Sequence, residues 1–114
     1  MFARWQIAIV AVVSLLASVP ARAQTLTAAQ ILQQFNAVIF GNFSSSADVE
    51  GRAVVGGNVS HGATFYINPG SEAPSTFAAL SVYGSTSGSS ININNGGGVT
   101  VVGLNSATMI ASTT

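Results

Sequence analysis

"DVEGRAVVGGNVS", residues 48–60, decides how this chain folds. It holds three of the four charged residues that lie beyond residue 23, then runs into a stretch rich in valine and glycine. On an extended segment Asp48 and Glu50 point the same way, because side chains alternate with period two. Two carboxylates on one side are the minimum for acid/base work on a glycosidic bond. Such a site also needs a cleft lined by aromatics, and Phe65, Tyr66, Tyr83 and the other phenylalanines read as buried strand residues. The structural reading is the stronger one. Asp48, Glu50, Gly51 and Arg52 form a polar surface corner in which Arg52 pairs with Asp48 or Glu50, worth ~0–1 kcal/mol if exposed. The corner feeds a Val54-Val55 strand that stops at a Gly56-Gly57-Asn58 turn. These residues are expected to specify the fold.

The same texture recurs along the chain. "AVIFGN", "AVVGGN", "LSVYGS" and "VTVVGL" each place apolar residues before a glycine, at Gly41, Gly56, Gly84 and Gly103. Spacings of 15, 28 and 19 residues suit rungs of a β-solenoid carrying insertions. Strands are expected at Thr64–Ile67 and near Thr108–Ala111, with a tight turn at Gly96-Gly97-Gly98. In "SININNGGGVTVV" Asn92 and Asn94 alternate with Ile91 and Ile93, the pattern of a strand with one polar face. Short strands with Gly/Asn corners define an all-β fold, and Gly and Asn suit corners because both tolerate left-handed backbone. A β-solenoid of right-handed β-helix type is expected, with a β-sandwich as the alternative.

Upstream, "TLTAAQILQQF" places Thr27 three residues before Gln30, a capping box, with Ile31, Leu32 and Phe35 on one helical face. A short helix over residues 28–36 is expected to cap the sheet. Residues 1–23 read as a secretory signal peptide: Arg4 in a short basic start, an apolar run from Ile7 to Ala17, and Ala21-Arg22-Ala23 as a small-x-small cleavage site. The run is shorter than a membrane span requires. One β-rich domain over residues 24–114 follows, with no stable membrane insertion after cleavage.

That domain has three acids, one arginine and no lysine or cysteine. Nucleic acid is excluded as a partner, since phosphate neutralisation needs clustered cations. No disulfide reinforces what is at this length a modest core. His61, the single histidine, reads as a turn residue beside Gly62. A metal site lacks ligands, and the one ion the corner admits is calcium, with Asp48, Glu50 and the Ser44–Ser46 carbonyls supplying part of its oxygen shell. No G-x-S-x-G elbow and no phosphate loop are present. No catalytic residue and no cofactor is expected.

Phe35 to Ser60, "FNAVIFGNFSSSADVEGRAVVGGNVS", resembles the opening motif of the choice-of-anchor A domain, an adhesive domain of secreted and surface bacterial proteins. The motif runs N-x-hydrophobic-F-G-D/N, then S-D-V-E-G-R-x-A-V-G-G-N. Asn36, Phe40-Gly41-Asn42, Asp48-Val49-Glu50-Gly51-Arg52 and Val55-Gly56-Gly57-Asn58 carry the match, and "LSVYGS" resembles a later strand. The resemblance is tight over about 25 residues and loose over about 70. It implies a β-solenoid-like domain with an adhesive or matrix role and no enzyme activity. The chain is shorter than that domain and carries no sorting tail, so a truncated or minimal member that self-associates is expected. The expected function is secreted, non-enzymatic adhesion to cell-surface or matrix polymers through flat β faces and strand edges. The alternatives are a self-assembling subunit of an extracellular fibre and, third, a polysaccharide-active β-helix enzyme.

Overall fold

The structure, a computed structural model, describes residues 25–114. The signal peptide expected over residues 1–23 lies outside them. Helix α1 (Ala28–Gln34) is followed by eleven short strands: β1 (Ala37–Ile39), β2 (Phe43–Ser44), β3 (Asp48–Val49), β4 (Ala53–Val55), β5 (Val59–Ser60), β6 (Thr64–Phe65), β7 (Leu80–Val82), β8 (Thr86–Ser87), β9 (Ile91–Ile93), β10 (Val99–Val101) and β11 (Met109–Ala111).

Successive strands enter different sheets and every third strand, as a rule, returns to the first. Sheet 1 is β1-β4-β7-β10, sheet 2 is β2-β5-β8, and sheet 3 is β3-β6-β9-β11. Each ladder among the described strands is parallel. The described residues are thus all-β apart from α1, and they wind as a β-helix-like coil whose rungs begin at β1, β4, β7 and β10. The β-sandwich alternative fails on this point, because a sandwich is made of antiparallel sheets.

The register follows from the inward residues. Ala37, Ala53, Leu80 and Val99 stack in sheet 1, as do Ile39, Val55, Val82 and Val101. Val49, Phe65, Ile93 and Ala111 stack in sheet 3. Val55, Val59, Phe65, Leu80 and Ile91 are fully buried, so the middle rungs hold the core. Each such side chain contributes ~1.5–3 kcal/mol on leaving water. Thr86 is fully buried among them. Its hydroxyl donates to Asn105 Oδ1, while Ser106 donates to its carbonyl at 2.8 Å, so its burial leaves no unmet hydrogen bond. Ile91 and Ile93 are buried and Asn92 and Asn94 half-buried, the alternation their sequence predicts.

A glycine column turns the chain after each sheet 1 strand. Gly57 donates to Gly41, Gly84 to Gly57 and Gly103 to Gly84, each N–H···O at 2.9 Å. A Cβ on Gly57, Gly84 or Gly103 would lie 2.5–2.7 Å from the carbonyl oxygen of the glycine one rung below. The expected repeat therefore shifts by one residue: Gly57, not Gly56, belongs to the column, and Gly56 takes the place that Phe40, Tyr83 and Val102 occupy in the other rungs. Beside the column, side chains bridge the rungs. Asn42 Oδ1 accepts from Asn58 N and Asn58 Oδ1 from Ser85 N, both at 2.8 Å, and Ser85 Oγ accepts from Leu104 N at 3.0 Å. Asn58→Ala removes the middle bridge and is expected to cost about 1 kcal/mol, read as a lower urea midpoint with an unchanged m-value.

Helix α1 begins with the expected capping box: Gln30 N donates to Thr27 Oγ1 at 3.2 Å and Thr27 N to Gln30 Oε1 at 2.8 Å. It ends at Gln34, two residues before the expected Asn36. Phe35 is extended, at φ −123° and ψ 137°, and Asn36 N already donates to Arg52 O at 2.7 Å, so the coil captures the chain there. The helix docks through Phe35, which meets Phe77 edge-on with ring centroids 5.1 Å apart. Leu32, expected on the docked face, is 81% exposed. Phe77 belongs to the insertion over residues 66–79 that lengthens the second rung and folds back on α1, where Ala73 N donates to Gln33 O at 3.0 Å. Strand β6 is shorter than the expected Thr64–Ile67 because Tyr66 has φ 64°, which turns the chain into this insertion.

Candidate functional site

Asp48 and Glu50 are exposed on either side of the buried Val49. The Arg52 side chain turns the other way, and the residue is only 7% exposed. Its Nη1 donates to Gln34 O at 2.6 Å and to Glu72 Oε2 at 3.4 Å, while its backbone N–H donates to Glu72 Oε1 at 2.7 Å. The guanidinium also lies 5.7 Å from the Tyr66 ring centroid. The expected pairing of Arg52 with Asp48 or Glu50 is thereby corrected: its partner is Glu72, from the insertion. Gly51 permits this, since a Cβ there would collide with the Glu72 carboxylate.

Between α1, the corner and the insertion lies an open cleft of about 700 Å³, with Leu32, Asn36, Glu50, Asn68 and Glu72 among its lining residues. Glu72 is committed to Arg52, which leaves Glu50 as the free carboxylate of the cleft. No group of three or more His, Asp or Glu side chains that could hold a metal ion occurs among the described residues. A ligand that binds the folded state raises its melting temperature. Exchange of EDTA for calcium is expected to leave the thermal midpoint unchanged, as read by circular dichroism.

His61 sits in a left-handed turn at φ 72° after β5. Its Nδ1 is 2.9 Å from Ser44 Oγ and 3.3 Å from Ser60 Oγ. These serines are register partners in sheet 2. The contacts tie two rungs together at the surface. The imidazole has no carboxylate among its hydrogen-bond partners in the described residues to orient it as a base.

The outer face of sheet 1 differs from this corner. Inward residues alternate with Val38, Val54, Ser81 and Thr100, and the next outward column is Phe40, Gly56, Tyr83 and Val102. Ladder bonds hold that column in line: Gly56 N to Ile39 O at 2.7 Å, Tyr83 N to Val55 O and Val102 N to Val82 O, both at 2.9 Å. Phe40 is 93% exposed, Val102 66% and Tyr83 55%. The expectation that the aromatics are buried in strands holds for Phe65 and is wrong for Phe40 and Tyr83. A smaller hollow of about 190 Å³ lies beside Tyr83, between the 76–78 segment and the Ser81 and Thr100 positions.

The family model described as "Putative Ice-binding-like adhesive domain" matches residues 28–114. The chain belongs to this adhesive family. No curated protein and no solved structure matches it. Membership carries an adhesive role, binding to surfaces or self-association, and an extracellular or surface setting. No described helix is long and apolar enough to cross a membrane.

For this adhesive domain, the structure separates two groups of residues that the opening motif runs together. Gly51, Gly56 and Gly57 stand where a neighbouring rung or the Glu72 carboxylate leaves no room for a Cβ, and Arg52 is buried, whereas Asp48, Glu50 and Asn58 are exposed. Sequence reasoning missed Glu72 and the exposed column. The signal for Glu72 was its charge, one of only four beyond residue 23. The signal for the column was the apolar residue between the inward valine or isoleucine and each glycine.

Proposed function

We propose that the chain is a secreted, non-enzymatic adhesion module of choice-of-anchor A type, built as a right-handed β-solenoid, which holds matrix or cell-surface polymers against the outer face of sheet 1. The observation that carries this reading is the exposed Phe40-Tyr83-Val102 column, laid out in register on a parallel sheet. Membership of the adhesive family supports it, and so does the Phe35–Ser60 motif. The Asp48-to-Arg52 corner then serves the fold: it anchors the insertion and α1 to the first turn of the coil.

The test is retention of the purified protein on polymer-coated and polystyrene beads. Phe40→Ser with Tyr83→Ser is expected to reduce retention and leave the far-ultraviolet dichroism unchanged, because both rings point to solvent. A hydrolase activity that is lost in Glu50→Gln while the fold persists would replace this reading with the enzymatic one.

A second reading, head-to-tail assembly, is favoured by the fourth rung. Its inward residues Val99, Val101 and Met109 are only partly covered, and Leu104 is exposed. Strands β10 and β11 are the outer members of their sheets, and edge strands accept further strands. Sedimentation at rising concentration tests it: a mass fixed at one chain rules assembly out.

A further inference from the structure

We infer that the polymer is neutral: an extended, β-linked polysaccharide laid along the Phe40–Tyr83 column. The inference rests on the adhesion reading and names its ligand class.

Geometry carries the first step. Phe40 and Tyr83 occupy the same column two rungs apart, and neighbouring strands of a sheet are 4.7–4.9 Å apart, which puts the two rings ~9.5 Å from each other along the coil. Gly56 sits between them without a side chain, so bare backbone separates the rings. In an extended β-1,4-linked chain each sugar is flipped relative to the last, and the same C–H face recurs every second unit. Two such units span about the distance between these rings. Aromatic rings offer apolar faces for those C–H groups, and the tyrosine adds a hydroxyl at its edge.

Polar groups flank the strip. Asn42 and Asn58 are exposed, and both use Oδ1 to accept a backbone N–H from the next rung. Each carries an Nδ2 with two donors, and neither Nδ2 has a protein partner among the described residues. Sugar hydroxyls can accept from them. Beside Tyr83, the 190 Å³ hollow places the Ser81 and Thr100 positions next to the ring.

Charge selects the class of polymer. Asp48, Glu50, Arg52 and Glu72 are the charged residues of the described chain, and none lies in sheet 1. The one cation, Arg52, is buried and paired with Glu72. An anionic polymer would find no counter-charge on this face, whereas a neutral one needs none.

The experiment is a depletion assay of the purified protein on insoluble cellulose and chitin, with alginate and polystyrene as the anionic and apolar comparisons. Retention on cellulose or chitin is expected, with no retention on alginate, competition by cellohexaose or chitohexaose, and little dependence on salt. Phe40→Ala and Tyr83→Ala are each expected to weaken binding by about tenfold, as loss of an aromatic anchor does. Oligosaccharide titration of the unaltered protein by nuclear magnetic resonance needs no variant. It is expected to shift the Phe40 and Tyr83 ring signals and leave those of Tyr66 in place. Retention on polystyrene alone overturns the polysaccharide inference and preserves the adhesion reading. Polysaccharide binding that moves neither ring overturns the assignment to this face, and retention on no surface overturns both readings.

Discussion

Arg52→Ala is expected to lower the unfolding free energy by about 3–5 kcal/mol, the cost of stripping one partner from a buried ion pair. The loss has three parts. Glu72 keeps its carboxylate in a largely covered site, its side chain 15% exposed, with only the Arg52 backbone N–H still donating to it. Gln34 O loses its 2.6 Å donor at the point where α1 hands the chain to the coil. The insertion loses the tie that draws residues 68–73 over Gly51. Domains of this size hold about 5–15 kcal/mol in total, so the thermal midpoint should fall on the order of 20 °C. Arg52→Lys should recover only part of this, because an ammonium is more strongly hydrated than a guanidinium and costs more to bury. Glu72→Gln should cost less than Arg52→Ala, since the amide oxygen can still accept from Arg52 N. Thermal melts of the three variants give the order Arg52→Ala, Arg52→Lys, Glu72→Gln only if the buried pair organises this end of the molecule. Equal midpoints would show that the ion pair is incidental.

The case of Arg52 also shows what was legible beforehand and what was not. Period-two alternation with a glycine after each strand was enough to expect a coil of short strands, because both patterns arise within a few residues. The capping box at Thr27 and Gln30 was legible for the same reason. Glu72 was not, because it lies 20 residues from Arg52 and reaches it only through an insertion whose path no local pattern encodes. The neighbours Asp48 and Glu50 looked like better partners, but alternation around the buried Val49 points both of them to solvent. The exposed column was missed for a different reason. In "AVIF" both faces of the strand carry apolar residues, so alternation cannot tell inside from outside. Only the register with Val55 and Val82 turns Ile39 inward and Phe40 out.

Gly84→Ala is the second substitution with a large expected effect, and Gly41→Ala is its internal comparison. Both residues stand in one column, and neither has a positive φ among the described glycines, so backbone freedom does not distinguish them. Space does. A Cβ on Gly41 meets nothing within 4 Å, because Gly41 is in the first rung and its column neighbour Gly57 lies only on the far side. A Cβ on Gly84 would lie 2.5 Å from Gly57 O and 2.6 Å from its carbonyl carbon. These are rigid backbone atoms and cannot rotate away. The added methyl must therefore push the second and third rungs apart at the corner, which stretches the Gly84 N to Gly57 O bond and the adjacent Ser85 N to Asn58 Oδ1 bond together. Overpacking costs ~1–3 kcal/mol and each of the two weakened hydrogen bonds about 1 kcal/mol, for a total of about 3–5 kcal/mol. Gly41→Ala should change stability by less than about 1 kcal/mol. Urea unfolding of the pair isolates close approach between rungs from every other property of glycine. A similar cost at both positions would mean that chain entropy, and not the stacking of the coil, is what the column's glycines supply.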